Sequence, residues 1–395
     1  MKILFLVYHG FSEISGITKK IRAQVKGLRQ NGHEVHLCYY DFDARGHRCR
    51  FVDQEVLCDY GTGVLAGLRQ RLGFGCVADY CQSAGIELVY ARCFQNASPV
   101  LISLFCRLRR MGVRSVTEVP TYPYDQEFVG FKYLPGLLAL QADKLFRRRL
   151  YREMEAMVTF SDAREIFGCR TIRISNGVDF DAIPIHCPLP PEGDGHDVHI
   201  VAVAEVHFWH GIDRMIAGMG LYAERHRALG DGRRVVLHVV GGVAPTEMLG
   251  SMHAPGFRPL IEQYGLHDDV VFHGQLFGQS LDDVFNRCCF AVGSLGRHRS
   301  NITTIKTLKN REYATRGLPF IYSEQDSDFD HQPYVLHAPA DESPIDIEQV
   351  LQFIDTCQLQ PETIRQSVSH LSWKQQMGLV IQEIEKAEGK KEGQF

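Results

Sequence analysis

The stretch Met1–Tyr40, MKILFLVYHGFSEISGITKKIRAQVKGLRQNGHEVHLCYY, decides the fold class. Ile3–Val7 is a near-continuous apolar run, which fits a parallel strand buried on both faces better than a hairpin edge. Ser15-Gly16 opens a helix whose apolar positions Ile17, Ile21, Val25 and Leu28 recur at spacings of three and four and so share one face. Asn31-Gly32 closes that helix, and Glu34–Tyr40 is the next strand, which makes one βαβ unit.

The same alternation continues outward. Ile86–Tyr90, Arg114–Glu118, Met157–Phe160 and Thr171–Ser175 have strand character, and helical patterns separate most of them, so the first half is expected to be a doubly wound α/β domain. At His186–Asp197 (HCPLPPEGDGHD) periodicity is lost in a run of Pro, Gly and acid, the expected interdomain linker. The pattern then restarts: strand Val198–Ala204, helix Ile212–Leu229, strand Val235–Val240, strands Val270–His273 and Phe290–Ser294, a helix around Lys306–Arg316, strand Phe320–Ser323 and a helix near Ile345–Thr356. A last segment, Leu371–Ala387, places Trp373, Met377, Val380, Ile381 and Ile384 at helical spacing and needs a surface to cover.

Length agrees with two domains, since 395 residues exceed what one core usually organises. No apolar run reaches the roughly 18 residues of a membrane span, so neither a signal peptide nor an anchor helix is expected. The 12 cysteines lack regular spacing and contain no Cys-x-x-Cys, which fits reduced thiols packed as small hydrophobes in a cytoplasmic protein. Net charge is −4, against general nucleic-acid binding, but residues 1–180 carry 25 Lys and Arg to 18 Asp and Glu. The remainder carries 18 to 29, so the basic first half should face an anionic partner.

Several motifs admit two readings. The loop Gly10–Gly16 (GFSEISG) precedes a helix start, which suits either an anion site or a tight turn; it is not a GxGxxG dinucleotide loop. Gly61-Thr62-Gly63 with Gly67 follows no convincing strand and is expected to be a flexible surface loop. Asp-Phe-Asp occurs at Asp41–Asp43, Asp179–Asp181 and Asp328–Asp330; two carboxylates so spaced can hold a divalent ion, but three copies dilute each one, and no metal site is expected. His196, His199, His207 and His210 share no ligand spacing for zinc.

The richest segment is Gly293–Ser323, GSLGRHRSNITTIKTLKNREYATRGLPFIYS. Arg297, Arg299, Lys306, Lys309 and Arg311 cluster between a strand end and a helix start, and Glu312 follows within the helix. Cations and helix N–H groups suit a diphosphate, and a carboxylate one turn on suits ribose hydroxyls; a solvated basic helix face is the plainer reading.

With these residues in view, the chain resembles the two-domain GT-B glycosyltransferases, specifically the retaining glycosyltransferase family 4. The resemblance rests on SGITKKIRAQVKGLRQNGHEV, on Ser161 followed by SNGVD at Ser175–Asp179, on Gly211–Asp213, on REYATRGLPFIYS at Arg311–Ser323, and on the Trp373 helix. It implies an α/β protein of two doubly wound Rossmann-like domains facing a cleft: residues 1–185 with the returning helix 371–395 for the acceptor, and 186–370 for a nucleotide-sugar donor. It implies a hexosyltransferase that needs no metal or other cofactor, and transfer with retention to a glycan or lipid-linked glycan in cell-surface polysaccharide synthesis. A nucleotide-sugar epimerase of the same fold and an inactive sugar-nucleotide-binding relative are the alternatives.

Residue by residue, the resemblance places Glu312 on the donor ribose and Thr307 and Leu308 at its phosphates. Gly16 falls on the first-domain loop near diphosphate and acceptor, with Ser15 beside it. The family's first motif glutamate is replaced by Thr304, and its usual Arg and Lys after the second domain's first strand by Glu205 and His210. Lys306 or Lys309 with Arg297 is expected to supply the missing charge, with His210 or Trp209 lining the site. The segment Glu118–Glu127 (EVPTYPYDQE) lies where the family meets its acceptor, which makes Glu118, Tyr124, Asp125 and Glu127 candidates. Finally, Lys144–Arg152 (KLFRRRLYR) is either a charged helix face or a patch for anionic lipid at the inner face of a membrane.

Overall fold

A computed structural model describes residues 1–11, 16–92, 96–120, 122, 134–188, 197–230, 232–250 and 255–392. Two compact units divide the chain, Met1–Gly177 with Leu371–Phe395, and Val178–His370. The division falls ahead of the expected 185/186 because the segment before the Pro-rich stretch is already tied into the second unit. His186 N–H donates to the Arg316 carbonyl (2.7 Å), and the Phe180 and Ile183 carbonyls accept from Arg365 (2.7 and 2.9 Å). Part of the expected linker, 189–196, lies outside the described residues.

The first unit runs β1 (Lys2–Leu6), α1 (Gly16–Gln30), β2 (Glu34–Phe42), β3 (Arg48–Val52), β4 (Glu55–Asp59), α2 (Gly63–Leu72), α3 (Gly75–Ser83), β5 (Leu88–Ala91), α4 (Pro99–Arg110), β6 (Arg114–Val119), α5 (Leu134–Tyr151), β7 (Ala156–Thr159), β8 (Glu165–Ile166) and β9 (Cys169–Arg173). Its sheet has the order β4-β3-β2-β1-β5-β6-β7-β9-β8. The strands from β2 to β9 pair in parallel, while β3 and β4 extend one edge and β8 the other in antiparallel fashion. The expected surface loop at Gly61–Gly67 is instead the entry to a helix: Gly61 and Gly63 take left-handed φ of 81° and 78°, turn the chain, and α2 begins at Gly63.

The second unit runs β10 (Val198–Val203), α6 (Ile212–Leu229), β11 (Val235–Val240), α7 (Pro245–Leu249), α8 (Phe257–Tyr264), β12 (Val270–Gly274), α9 (Gln279–Arg287), β13 (Phe290–Val292), α10 (Leu308–Arg316), β14 (Phe320–Tyr322), β15 (Val335–His337), α11 (Ile347–Thr356) and α12 (Pro361–Ser367). All six strands are parallel, in the order β12-β11-β10-β13-β14-β15. The chain thus winds one way from β10 and the other way from β13. In an open parallel sheet, ligands bind outside the carboxyl ends of the strands at that reversal.

The last helix, α13 (Trp373–Glu392), belongs to the first unit. It packs along α1, where Ile21, Val25 and Leu28 share a core with Trp373, Met377, Val380 and Ile384. Gly27 permits the contact, since a Cβ there would lie 2.6 Å from the Trp373 carbonyl oxygen.

Candidate functional site

The reversal between β10 and β13 is built from two loops locked to each other. After β10, a 3-10 turn at Phe208–His210 closes on Gly211, whose φ is 63° and whose missing Cβ would sit 2.6 Å from the Leu295 backbone. Arg299, from the loop after β13, holds both oxygens of Asp213 at the start of α6 (2.9 and 2.7 Å) and the Phe208 carbonyl (2.7 Å). Inside this frame His210 is buried, and its Nδ1 accepts the His207 backbone N–H at 3.0 Å. Burial first, then the charges of Lys309 and Arg297, hold its pKa far below the ordinary histidine value. The ring is therefore neutral, with its proton on Nε2 as a donor.

The third wall comes from α10 and the segment after β14. Thr307 caps α10 without using its hydroxyl, whose buried oxygen has no hydrogen-bond partner, and a helix start of this kind leaves its first N–H groups without helical acceptors. Arg311 is fully buried; it binds Asp326 (2.7 and 3.2 Å), Asp328 and the Thr307 carbonyl (2.9 Å), and so clamps the start of α10 to the chain leaving β14. Glu324 lies in that clamped segment, only 3% exposed, and neither of its oxygens has a hydrogen-bond partner. Burial pushes its pKa up to about 7, against the pull of its own backbone N–H and then of Arg297 and Lys309. Half-buried Lys309 is drawn down to about 7, by burial and then by Arg297, while Glu324 raises it.

Ser294 Oγ and both amide atoms of Asn310 are likewise buried without partners. Folded proteins pair nearly all buried polar atoms, so this group, with Arg297 and Lys309 acting on Glu324, makes the end of β13 and the start of α10 the candidate site.

No protein-family model and no curated protein sequence matches the chain. Solved structures do. The Anabaena protein HepE in complex with UDP-glucose is 15% identical, with a TM-score of 0.54 over 97% of this chain and 100% of that one. The catalytic domain of starch synthase IV from Arabidopsis thaliana, bound to ADP and acarbose, is 12% identical, with a TM-score of 0.57 over 96% of this chain and 98% of that one. The chain has the GT-B fold. Structures sharing it extend beyond transferases: a Listeria monocytogenes protein assigned as a UDP-N-acetylglucosamine 2-epimerase is 10% identical, with a TM-score of 0.55 over 99% and 97%.

Within this GT-B fold the second unit brings together His210, Arg297, Thr307 and Lys309, with Leu308 opening α10. The Lys306 ammonium pairs with Asp328 at 3.5 Å. Arg299 and Arg311, both in the quoted basic cluster, are spent on Asp213, Asp326 and Asp328. Thr304 is exposed and donates to Gln325 Oε1 at 3.3 Å. Glu312 accepts from Arg316 through one oxygen, Oε1 (3.1 and 3.0 Å).

In the first unit Gly16 opens α1, and a Cβ there would meet nothing within 4 Å among the described residues. Glu118 is a correction. It is fully buried between Lys20 (3.2 Å), Gln24 (2.5 Å), Tyr90 (2.7 Å) and Arg92 (3.6 Å). Burial alone would raise its pKa, but Lys20 and Arg92 outweigh it and keep the carboxylate ionised as the centre of an internal network. Ser15, Tyr124, Asp125 and Glu127 lie outside the described residues. Asp43, Cys49 and Asp59 form a metal-like cluster, yet Asp43 is held by Arg45 (3.0 Å) and Asp59 by His47 (2.9 Å).

Sequence reasoning missed Ser294, Asn310 and Glu324. Glu324 stands one residue past the end of the quoted segment, where an acid after a strand looks like solvated loop.

Proposed function

We propose that the protein transfers a hexosyl group from a nucleotide-diphosphate sugar to a glycan or lipid-linked glycan acceptor, with retention, in the building of a cell-surface polysaccharide. The observation that carries this reading is the group of buried, unpartnered polar atoms on Ser294, Thr307, Asn310 and Glu324, the last of them acted on by Lys309 and Arg297, after the reversing strand of a GT-B unit. Lys309, Arg297 and the first turn of α10 take the diphosphate, whose charge grows as the bond to the anomeric carbon breaks. Their fixed positive charge does the work a metal ion would do, so no metal is required. The neutral His210 donates from Nε2 to a donor oxygen. Glu324 and Asn310 accept from sugar hydroxyls, and the free oxygen of Glu312 serves the ribose.

In a retaining transfer the acceptor hydroxyl approaches on the face the diphosphate leaves. Its oxygen forms the new bond to the anomeric carbon, and its proton passes to the departing phosphate oxygen. Acceptor contacts are assigned to the first unit, around Ser15, Gly16, Tyr124 and Asp125.

A second reading is favoured by Glu324 itself. A carboxyl group that titrates near neutrality beside a sugar is also what an epimerase needs for proton transfer, and one structural neighbour carries that assignment. Incubation with a panel of nucleotide sugars and a glycan mixture separates the two by product. Nucleoside diphosphate with extended glycan supports transfer, an isomerised nucleotide sugar supports epimerisation, and failure to bind any nucleotide sugar refutes both.

A further inference from the structure

Helix α2 is turned inside out for a soluble protein. It buries only Ala66, while Val64 (91% exposed), Leu65 (67%), Leu68 (53%) and Leu72 (52%) face solvent. At 3.6 residues per turn these four fall within an arc of about 100°, opposite Ala66. Arg69 and Arg71 stand on the two shoulders of that arc, and the helix sequence GVLAGLRQRL contains no acid.

The same side of the sheet carries further exposed positive charge. Alternate residues of β2 divide its faces: Cys38 and Tyr40 lie toward α2, α3, α4 and α5, Leu37 and Tyr39 toward α1 and α13. Helices α2 to α5 thus form one layer. Its exposed residues include Arg110 at the end of α4 and Lys144, Arg148 and Arg149 on α5, with Leu145 exposed among them, while Arg107 pairs with Asp79 of α3 at 2.7 Å.

We propose that this layer docks on an anionic phospholipid bilayer, with the apolar stripe of α2 inserted at the headgroup boundary and the arginines and lysine of α2, α4 and α5 against lipid phosphates. An apolar stripe shouldered by cations is the pattern of helices that lie in the plane of a membrane. A second copy of the chain is the poorer occupant, because two-fold contact through this stripe would oppose Arg69 and Arg71 to themselves. The proposal does not depend on the transfer reaction.

The test is co-sedimentation of the full chain with phosphatidylcholine vesicles, with and without phosphatidylglycerol. The wild type is expected to bind only the anionic vesicles and to be released by salt, since each cation near the surface strengthens binding about five-fold. The double variant Leu65→Ser/Leu68→Ser is expected to bind at least about ten-fold more weakly with an unchanged melting temperature, because both side chains are exposed. Arg148→Ala/Arg149→Ala should lose affinity as well. The proposal is overturned if the wild type ignores anionic vesicles, if the serine variant binds them equally well, or if the stripe instead holds a dimer that the serine variant dissociates.

Discussion

Replacing Glu324 by Gln should stabilise the protein, increasingly as pH rises from about 4.5 to 7 and in full above that. The carboxylate is buried with neither oxygen bonded, and its pKa rises from 4.5 to about 7. Between those values the folded chain holds a proton that the unfolded chain has released, so stability falls as pH rises through the window and stays reduced above it. At about 1.4 kcal/mol per pKa unit, ionised Glu324 costs up to ~3 kcal/mol at pH 8. That cost already includes the attraction of Arg297 and Lys309, so roughly 1–3 kcal/mol is to be gained by an amide of the same size. For a unit of this length each kcal/mol moves the melting temperature by about 2–4 °C. Circular-dichroism melts at pH 5 and pH 8 read the difference. The variant should melt several degrees above the wild type at pH 8 and together with it at pH 5. A variant that melts at or below the wild type at pH 8 would show that Glu324 already has good partners in the free protein, and the argument for a ligand-facing carboxylate would fail.

Two further outcomes follow from the packing. Gly27→Val should drive α13 off α1, since even a Cβ falls 2.6 Å from backbone; a loss of roughly 1–3 kcal/mol or more, with faster amide exchange in 373–387, is expected by hydrogen-exchange mass spectrometry. The imidazoles of His199, His238 and His273 are joined by two 2.9 Å N···N hydrogen bonds across β10, β11 and β12. Burial, then the two neighbouring rings, draws His238 down to about 4. The unfolded chain therefore binds the extra proton between pH 6.5 and 4, and stability should fall by up to ~3 kcal/mol as pH drops through that range. His238→Gln should flatten that slope in a urea titration series; an unchanged slope would assign the acid sensitivity elsewhere.

Local sequence carries the second unit unusually far. α6 and β11 begin and end where the apolar pattern places them, because Gly211 and Gly230 take left-handed φ of 63° and 69° at the two ends of α6, and β11 is an unbroken buried run. The first unit's edge was less legible. β3 (RCRFV) carries arginines that look solvent-facing, yet Arg50 is fully buried against Tyr40 and Tyr60, a tertiary arrangement no period announces. α2 hid behind its glycines, two of which serve the turn before it.

The site divides in the same way. Lys309, Arg297, Thr307 and His210 could be picked from their position between strand end and helix start. Which cations remain for a ligand could not, since Arg299, Arg311 and Lys306 are consumed by acids distant in sequence, Asp213, Asp326 and Asp328. Glu118 misled for the opposite reason: its acidity in a strand end looks catalytic until Lys20 and Arg92 are seen around it.

The central claim, a nucleoside-diphosphate site at Lys309, is tested most directly by calorimetric titration of the full chain with UDP, GDP, ADP, CDP and dTDP in the presence of a chelator. One of these should bind, the matching nucleoside without phosphates should not, and Lys309→Met should weaken binding by about ten-fold or more, the worth of one charge-assisted phosphate contact. Binding of none of the five, or equal binding by wild type and Lys309→Met, would contradict the account.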